Sequence, residues 1–238
     1  MQLEDYQRRW EEKPALRAVY ADLHRRMSAA SAPGPGLEIG GGIGNFAAEH
    51  GDLVRMDIQR SPGVQIAADA HRLPFAAASF DNLYLFDVLH HLQCPLLFFA
   101  EAERVLRSGG RLIMVEPGIT RLSGLLYGMG HEEPVDFSWS PSADCVLDPA
   151  KDPYTSNQAI PTILFKRSTQ WLAASRSSLR VVDAHWLSLF VYPLTGGFKA
   201  WSLMPASWVK PLLRVEEMLL PLLGRWMAFR LLVVLEKT

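Results

Sequence analysis

Cysteine, net charge and long apolar runs are all scarce in this chain, and each scarcity removes a class of function. Its two cysteines, Cys94 and Cys145, stand about fifty positions apart, without the paired spacing of thiolate metal sites or redox dithiols. Both therefore read as reduced thiols. With 24 Lys and Arg against 25 Asp and Glu, the formal charge of −1 offers no cationic surface for a phosphate backbone, so nucleic acid is disfavoured as a partner. No uncharged stretch nears the roughly 20 residues that span a bilayer, because Lys199, Lys210, Arg214, Arg225 and Arg230 interrupt the hydrophobic C-terminal third. Met1 to Tyr6 carry early acids and no signal-peptide core, so a soluble, cytoplasmic protein is expected. There is no internal repeat or low-complexity tract.

What is present is apolar content, 49% of 238 residues, enough to bury one large α/β core. Leu16, Val19, Tyr20 and Leu23 form one stripe on a helix expected from Leu3 to about Met27. A Pro- and Gly-rich loop, 28–36, follows it. Short apolar runs then predict strands at 37–39, 53–57, 64–68, 83–86 and 111–115, with a helix from Pro95 to Arg107 ended by Gly109 and Gly110. Strand–helix alternation of this kind implies a mostly parallel sheet covered on both faces. Between Gly118 and Ser168 the pattern dissolves into Gly, Pro and polar residues, a span too long for an ordinary connection. A helix at Thr169–Ser175, a strand near Leu179–Val182 and a last strand at Ala228–Leu235 restore regularity. The layout is a single domain, 1–238, with a helical lid at 1–30 and a cofactor core at 37–117. A substrate-side insertion at 118–168 and C-terminal strands with a further lid at 169–238 complete it.

The strand Leu37–Ile39 runs into Gly40-Gly41-Gly42-Ile43-Gly44 and then a helix-compatible Ala47–His50. Glycines let the backbone turn sharply and approach a ligand outside the carboxyl end of the sheet. A dinucleotide fingerprint needs glycine at the sixth place from Gly40, where Asn45 stands, which argues against a nicotinamide-dependent oxidoreductase. The spacing Gly-x-Gly-x-Gly after Glu38 instead resembles the first motif of class I methyltransferases. Four further segments follow in order: Asp57-Ile58; Asp69-Ala70-His71-Arg72-Leu73-Pro74-Phe75 with Ser79-Phe80-Asp81; Phe86-Asp87-Val88-Leu89-His90-His91; and Val105 to Leu112. Together they resemble the type-11 methyltransferase family over Leu37 to about Glu116. That resemblance implies a Rossmann-like doubly wound seven-stranded sheet, mostly parallel with an antiparallel last strand. It also implies S-adenosyl-L-methionine as cofactor. Glu38, Gly40, Gly42 and Gly44 would serve its methionine portion and Asp57 its ribose. Ile58, Asp69 and Ala70 would serve the adenine, with Phe86 and Asp87 completing the site.

Methyl transfer from a sulfonium asks mainly for alignment and exclusion of water, and a base is needed only where the acceptor must lose a proton. His90, His91 and His131 are the candidates. His24, His50 and His185 read as packed residues, and no metal is expected, since His131–Asp136 lacks the spacing of a helical zinc motif. Tyr127, Tyr154 and Tyr192 could line an acceptor pocket. The expected acceptor is a small hydrophobic or amphipathic molecule, with oxygen favoured over carbon or nitrogen. Against this stands a non-catalytic module that binds the cofactor, a partner or a membrane surface through the Trp-rich C-terminus.

Overall fold

The computed structural model describes residues 3–46, 52–129 and 133–238. Two helices open the chain, α1 (Leu3–Glu12) and α2 (Pro14–Ala29), where one was expected. Pro14 causes the break: it has no N–H to donate and suits the first turn of a new helix. Lys13 at the junction is buried, and its ammonium donates to the carbonyls of Gly197, Lys199 and Trp201 at 2.5, 2.9 and 2.8 Å.

The strands β1 (Gly36–Ile39), β2 (Leu53–Asp57), β3 (Ile66–Ala67) and β4 (Phe80–Phe86) come next, followed by a 3-10 turn at Leu89–His91 and α3 (Pro95–Val105). The long β5 (Leu106–Pro117) begins immediately, so Gly109 and Gly110 lie within the strand and do not end the helix. Beyond it lie α4 (Arg121–Gly128), α5 (Ile160–Thr162), a π-helical turn (Ile163–Arg167) and α6 (Gln170–Ala174). The chain closes with β6 (Leu179–Leu187), α7 (Val191–Thr195), α8 (Ala206–Met227) and β7 (Arg230–Lys237). The expected helix at Ala47–His50 lies outside the described residues.

The seven strands form one sheet in the order β3-β2-β1-β4-β5-β7-β6, with β7 antiparallel to both neighbours and the other pairings parallel. This is the doubly wound arrangement that the resemblance implied. Alternation along β5 and β7 divides the core between the two faces. Leu112, Met114, Leu231 and Val233 pack toward Phe98, Phe99 and Trp171, whereas Ile113, Val115, Leu232 and Val234 pack toward Val19, Leu23 and Met27 of α2.

The span 118–168 is more ordered than its composition suggests. Thr120 and Ser123 cap α4 reciprocally, each side chain bonding the other's backbone N–H. Ile160, Leu164 and Phe165 enter the first core. The insertion also folds back to the turn before α3, where Asp148 N donates to Gln93 Oε1 at 3.1 Å. That return path joins Cys94 and Cys145 in a disulfide, with Cα atoms 5.7 Å apart, so the expectation of two reduced thiols was wrong. Sequence distance concealed an adjacency that only the insertion's course creates.

Closing a loop of 51 positions restricts the unfolded chain more than the folded one. Reduction, or Cys145→Ser, should lower unfolding free energy by about 2–4 kcal/mol in urea titrations. An unchanged midpoint would show that the crosslink contributes nothing to stability.

Candidate functional site

The carboxyl ends of β1, β2, β4 and β5 converge on one edge, and each ends in a device the local sequence dictates. After β1 the chain turns with Gly40, Gly42 and Gly44 all at positive φ. Gly40 (φ 78°) has no room for a side chain, since a Cβ would meet Val88 Cγ2 at 2.2 Å, and a Cβ on Gly44 would sit 3.1 Å from Gly63 Cα. Asp57 at the end of β2 holds this turn, accepting from Gly42 N and Gln59 N at 2.9 Å each. Ile58 beside it is exposed.

Glu38 lies beneath the turn. Its Oε2 is 3.1 Å from Arg55 Nε without hydrogen-bond geometry, and burial outweighs that cation, pushing its pKa up to about 8. Asp69 accepts from His71 N at 2.8 Å and pairs with the His71 ring at 2.7 Å, while Ala70 is buried. Phe86 stacks on Tyr20 with centroids 4.8 Å apart.

Asp87 adopts φ 58°, a conformation Asp tolerates better than most residues. Its carboxylate ion-pairs with Arg230, the first residue of β7. Arg230 is fully enclosed, its guanidinium 4.4 Å above the Tyr192 ring and 5.5 Å from that of Phe86. Burial opposes its charge, but Asp87 holds it protonated.

Glu116, at the end of β5, has no solvent exposure. One of its oxygens accepts from Val88 N and Leu89 N at 2.9 and 2.8 Å, and the other lies 2.7 Å from His90 Nδ1. His90 Nε2 lies 3.6 Å from Glu133. Burial works against a charge on His90, but the bonds to Glu116 and Glu133 prevail and raise its pKa to about 9. His91 differs. Burial and then the neighbouring His90 lower its pKa, and its Nδ1 is enclosed with no hydrogen-bond partner among the described residues. The two rings sit with centroids 4.2 Å apart, so adjacency in sequence has not sent them to different places. Ligand atoms of His90, His91 and Glu133 lie within 4.8 Å of one another, a set that could hold a divalent ion.

Phenols complete the surroundings. Burial, followed by Glu133 and Asp87, raises Tyr6 to about 12. Burial likewise raises Tyr127 and Tyr192, and Tyr154 is raised by burial and by Asp57. A groove of about 520 Å³ is lined by Tyr127, Glu133, Val135 and Phe137 among others.

His131 lies outside the described residues, as does His50. His24 is packed against Phe46 and Phe86, and burial lowers its pKa to about 4. The reading of His185 as a core residue fails: it is exposed on the edge strand β6 and pairs with Asp183. Sequence reasoning missed Arg230, Glu116, Tyr6 and Tyr20. Charged residues inside the apolar runs Ile113–Pro117 and Phe229–Leu235 were the available signal, because a buried charge needs a partner.

Residues 37–114 match the type-11 family of methyltransferase domains. An uncharacterized 37.1 kDa protein in a transposon of Streptomyces fradiae is 40% identical over 67 residues, covering 28% of this chain and 19% of that protein. The chain spans less than half the length of the curated relatives it matches. Among solved structures, a SAM-dependent methyltransferase from Archaeoglobus fulgidus is 15% identical over 92% of this chain and 93% of its own, with a TM-score of 0.53. The [4+2]-cyclase SpnF, also 15% identical, covers 92% of this chain and 80% of its own at 0.51. At such identities the likeness is one of fold, and the fold hosts more than one chemistry.

Removing the Asp87 carboxylate strands the enclosed guanidinium of Arg230. Asp87→Ala should therefore cost about 3–5 kcal/mol of stability by thermal or chemical unfolding, and adding Arg230→Met should restore part of it. A loss below about 1 kcal/mol would mean the pair is not buried as described.

Proposed function

We propose that residues 37–114, which match the type-11 methyltransferase family, form an S-adenosylmethionine-dependent methyltransferase domain, and that the protein methylates an oxygen of a small, hydrophobic or amphipathic acceptor. The residues present fit the cofactor. Within the turn Gly42 leaves open space where a side chain would stand, while Gly40 and Gly44 pack closely against Val88 and Gly63, and Asp57 presents a carboxylate at the end of β2. Exposed Ile58 offers an apolar face beside it. When bound, S-adenosylmethionine supplies a methyl group on a positively charged sulfur. The protein's part is to align an acceptor, exclude water and accept the acceptor's proton.

The observation that carries the reading is the Nδ1 of His91, close to Glu133 and without a hydrogen-bond partner among the described residues. A depressed pKa keeps this ring neutral near pH 7, so its lone pair would be free to take the proton of an acceptor hydroxyl. His90 has a different part. Protonated between Glu116 and Glu133, it holds Glu133 in place and disfavours charge on its neighbour. The phenols of Tyr6, Tyr127 and Tyr192 give the acceptor an aromatic wall with polar tips, which suits an amphipathic molecule.

Calorimetry should detect S-adenosylmethionine binding, and Asp57→Ala should weaken it by about 1–3 kcal/mol through loss of paired polar groups. Tight NAD binding without S-adenosylmethionine binding would overturn the reading. With hydroxylated amphiphiles and a radiolabelled methyl donor, His91→Asn should reduce kcat by about 10²–10⁴ while leaving cofactor affinity unchanged. Intact turnover in that variant removes His91 as the base. The kcat profile should rise with pH through a value below 6.5 and be level at neutrality. His90 should titrate near 9 by NMR. Because its folded pKa is raised, the stability it confers is complete below about 6.5 and is lost as pH rises through about 9.

A further inference from the structure

The exposed face of α8 is the largest feature that cofactor and acceptor chemistry leave unexplained. Its opposite face is fixed: Glu216 is buried and accepts from Phe190 N and Val191 N, and Glu217 reaches Arg26 of α2 at 3.4 Å. Solvent meets a different set. Trp208, Val215, Met218, Leu222 and Trp226 recur at intervals of three, four or seven residues, with Pro211 between the first two, so they share one side of the helix. Exposures of 60% for Trp208, 70% for Met218 and 72% for Leu222 exclude packing as the reason for their apolar character. Leu125, Leu126 and Met129, at the end of α4, are exposed as well, and α4 packs on α8.

The charges around this stripe identify its occupant. Lys210, Arg214, Arg225 and Arg121 are all exposed, and Arg121 and Arg225 lie 4.4 and 4.8 Å from the Trp226 ring. The neighbouring acid Glu217 is engaged by Arg26. A two-fold contact between copies through this face would set its cations against one another, whereas anionic headgroups would neutralise them. Tryptophans near both ends, about 27 Å apart along the helix, suit the boundary between headgroups and acyl chains. No helix among the described residues is long and apolar enough to cross a membrane, so the helix would lie in the surface plane.

We infer that α8, extended by the end of α4, docks the protein on an anionic lipid surface. Met218, Leu222 and the two tryptophans enter the acyl boundary, and the four cations meet headgroups. Gly124, Tyr127 and Gly128 of α4 also line the groove near Glu133, so if that groove takes the acceptor proposed above, the docking element and the site share a helix.

The test is co-sedimentation of the full chain with vesicles of phosphatidylcholine alone or mixed with phosphatidylglycerol. Binding should require the anionic lipid, weaken at high salt and shift tryptophan emission to the blue. Met218→Glu with Leu222→Glu should reduce vesicle affinity by about tenfold or more, while circular dichroism and S-adenosylmethionine affinity, measured on the same protein, stay unchanged. Absence of vesicle binding by the unaltered chain overturns the inference. So does a dimer, detected by sedimentation velocity, that the paired substitution dissociates without any effect on vesicle binding. Neither readout requires methyl transfer, so failure of the proposed activity leaves this inference standing and the reverse also holds.

Discussion

The site edge depends on one carboxylate. Glu116 has no contact with water, and its two oxygens bind three donors from the segment that follows β4: the amides of Val88 and Leu89 and the ring of His90. Those bonds hold the end of one strand to the end of its neighbour. They fix the 3-10 turn that carries both histidines and set the exit direction of the chain behind Asp87. A buried acid with this many charge-assisted bonds is stable only if all of them are made, so the turn has one arrangement. Asp87, forced to positive φ at the start of the same turn, then meets Arg230 across the sheet edge. Two buried charges from adjacent strands, Glu116 and Arg230, thus position everything between β4 and the insertion.

The same contrast separates what was legible in the candidate site from what was not. The positive-φ glycine turn and the place of Asp57 at the end of β2 were legible locally, because backbone conformation and strand ends are short-range properties. Arg230 could not be recognised in that way. It sits 143 positions from Asp87, and nothing in a run of leucines and valines says where its guanidinium points. The sheet was legible for a related reason: strand–helix alternation is local, and the reversed β7 followed from the family pattern. The break at Pro14 was a local signal that the single-helix reading passed over, although what holds Lys13 there is tertiary, and the start of β5 at Leu106 depends on a tertiary partner. Lys13 is held by carbonyls beyond α7, and Leu106 pairs with Phe80.

The insertion was misread most, and the cause is physical. Its order comes less from regular periodicity than from discrete bonds: the cap of Thr120 and Ser123, the paired bonds between Asn157 and Asp136, and the disulfide. Asn157 N also donates to the carbonyl of His90 at 2.9 Å, and Gln158 bonds Glu133. A segment that looks like solvated loop by composition is therefore tied directly to the turn set by Glu116. Changes in its course would reach Glu133 and so both histidines.

The same dependence bears on how the two ends of the chain cooperate. Lys13 places all of its ammonium protons on carbonyls of the loop after α7, and Tyr6 packs edge-on against Phe198 of that loop at 4.8 Å. Gly196 and Gly197 both take positive φ there, and a side chain on Gly196 would meet the Trp201 carbonyl at 2.3 Å. The opening helix and the Gly-Gly-Phe loop are consequently one unit, and the charges of Glu133 and Asp87 help burial raise the pKa of its Tyr6. Any displacement of α1 must either move that unit whole or break the bonds of a buried ammonium. The second is far costlier, since a charge without partners is strongly disfavoured away from water. Motion of α1 together with the 196–201 loop, over a sheet edge held rigid by Glu116, is the lower-energy route.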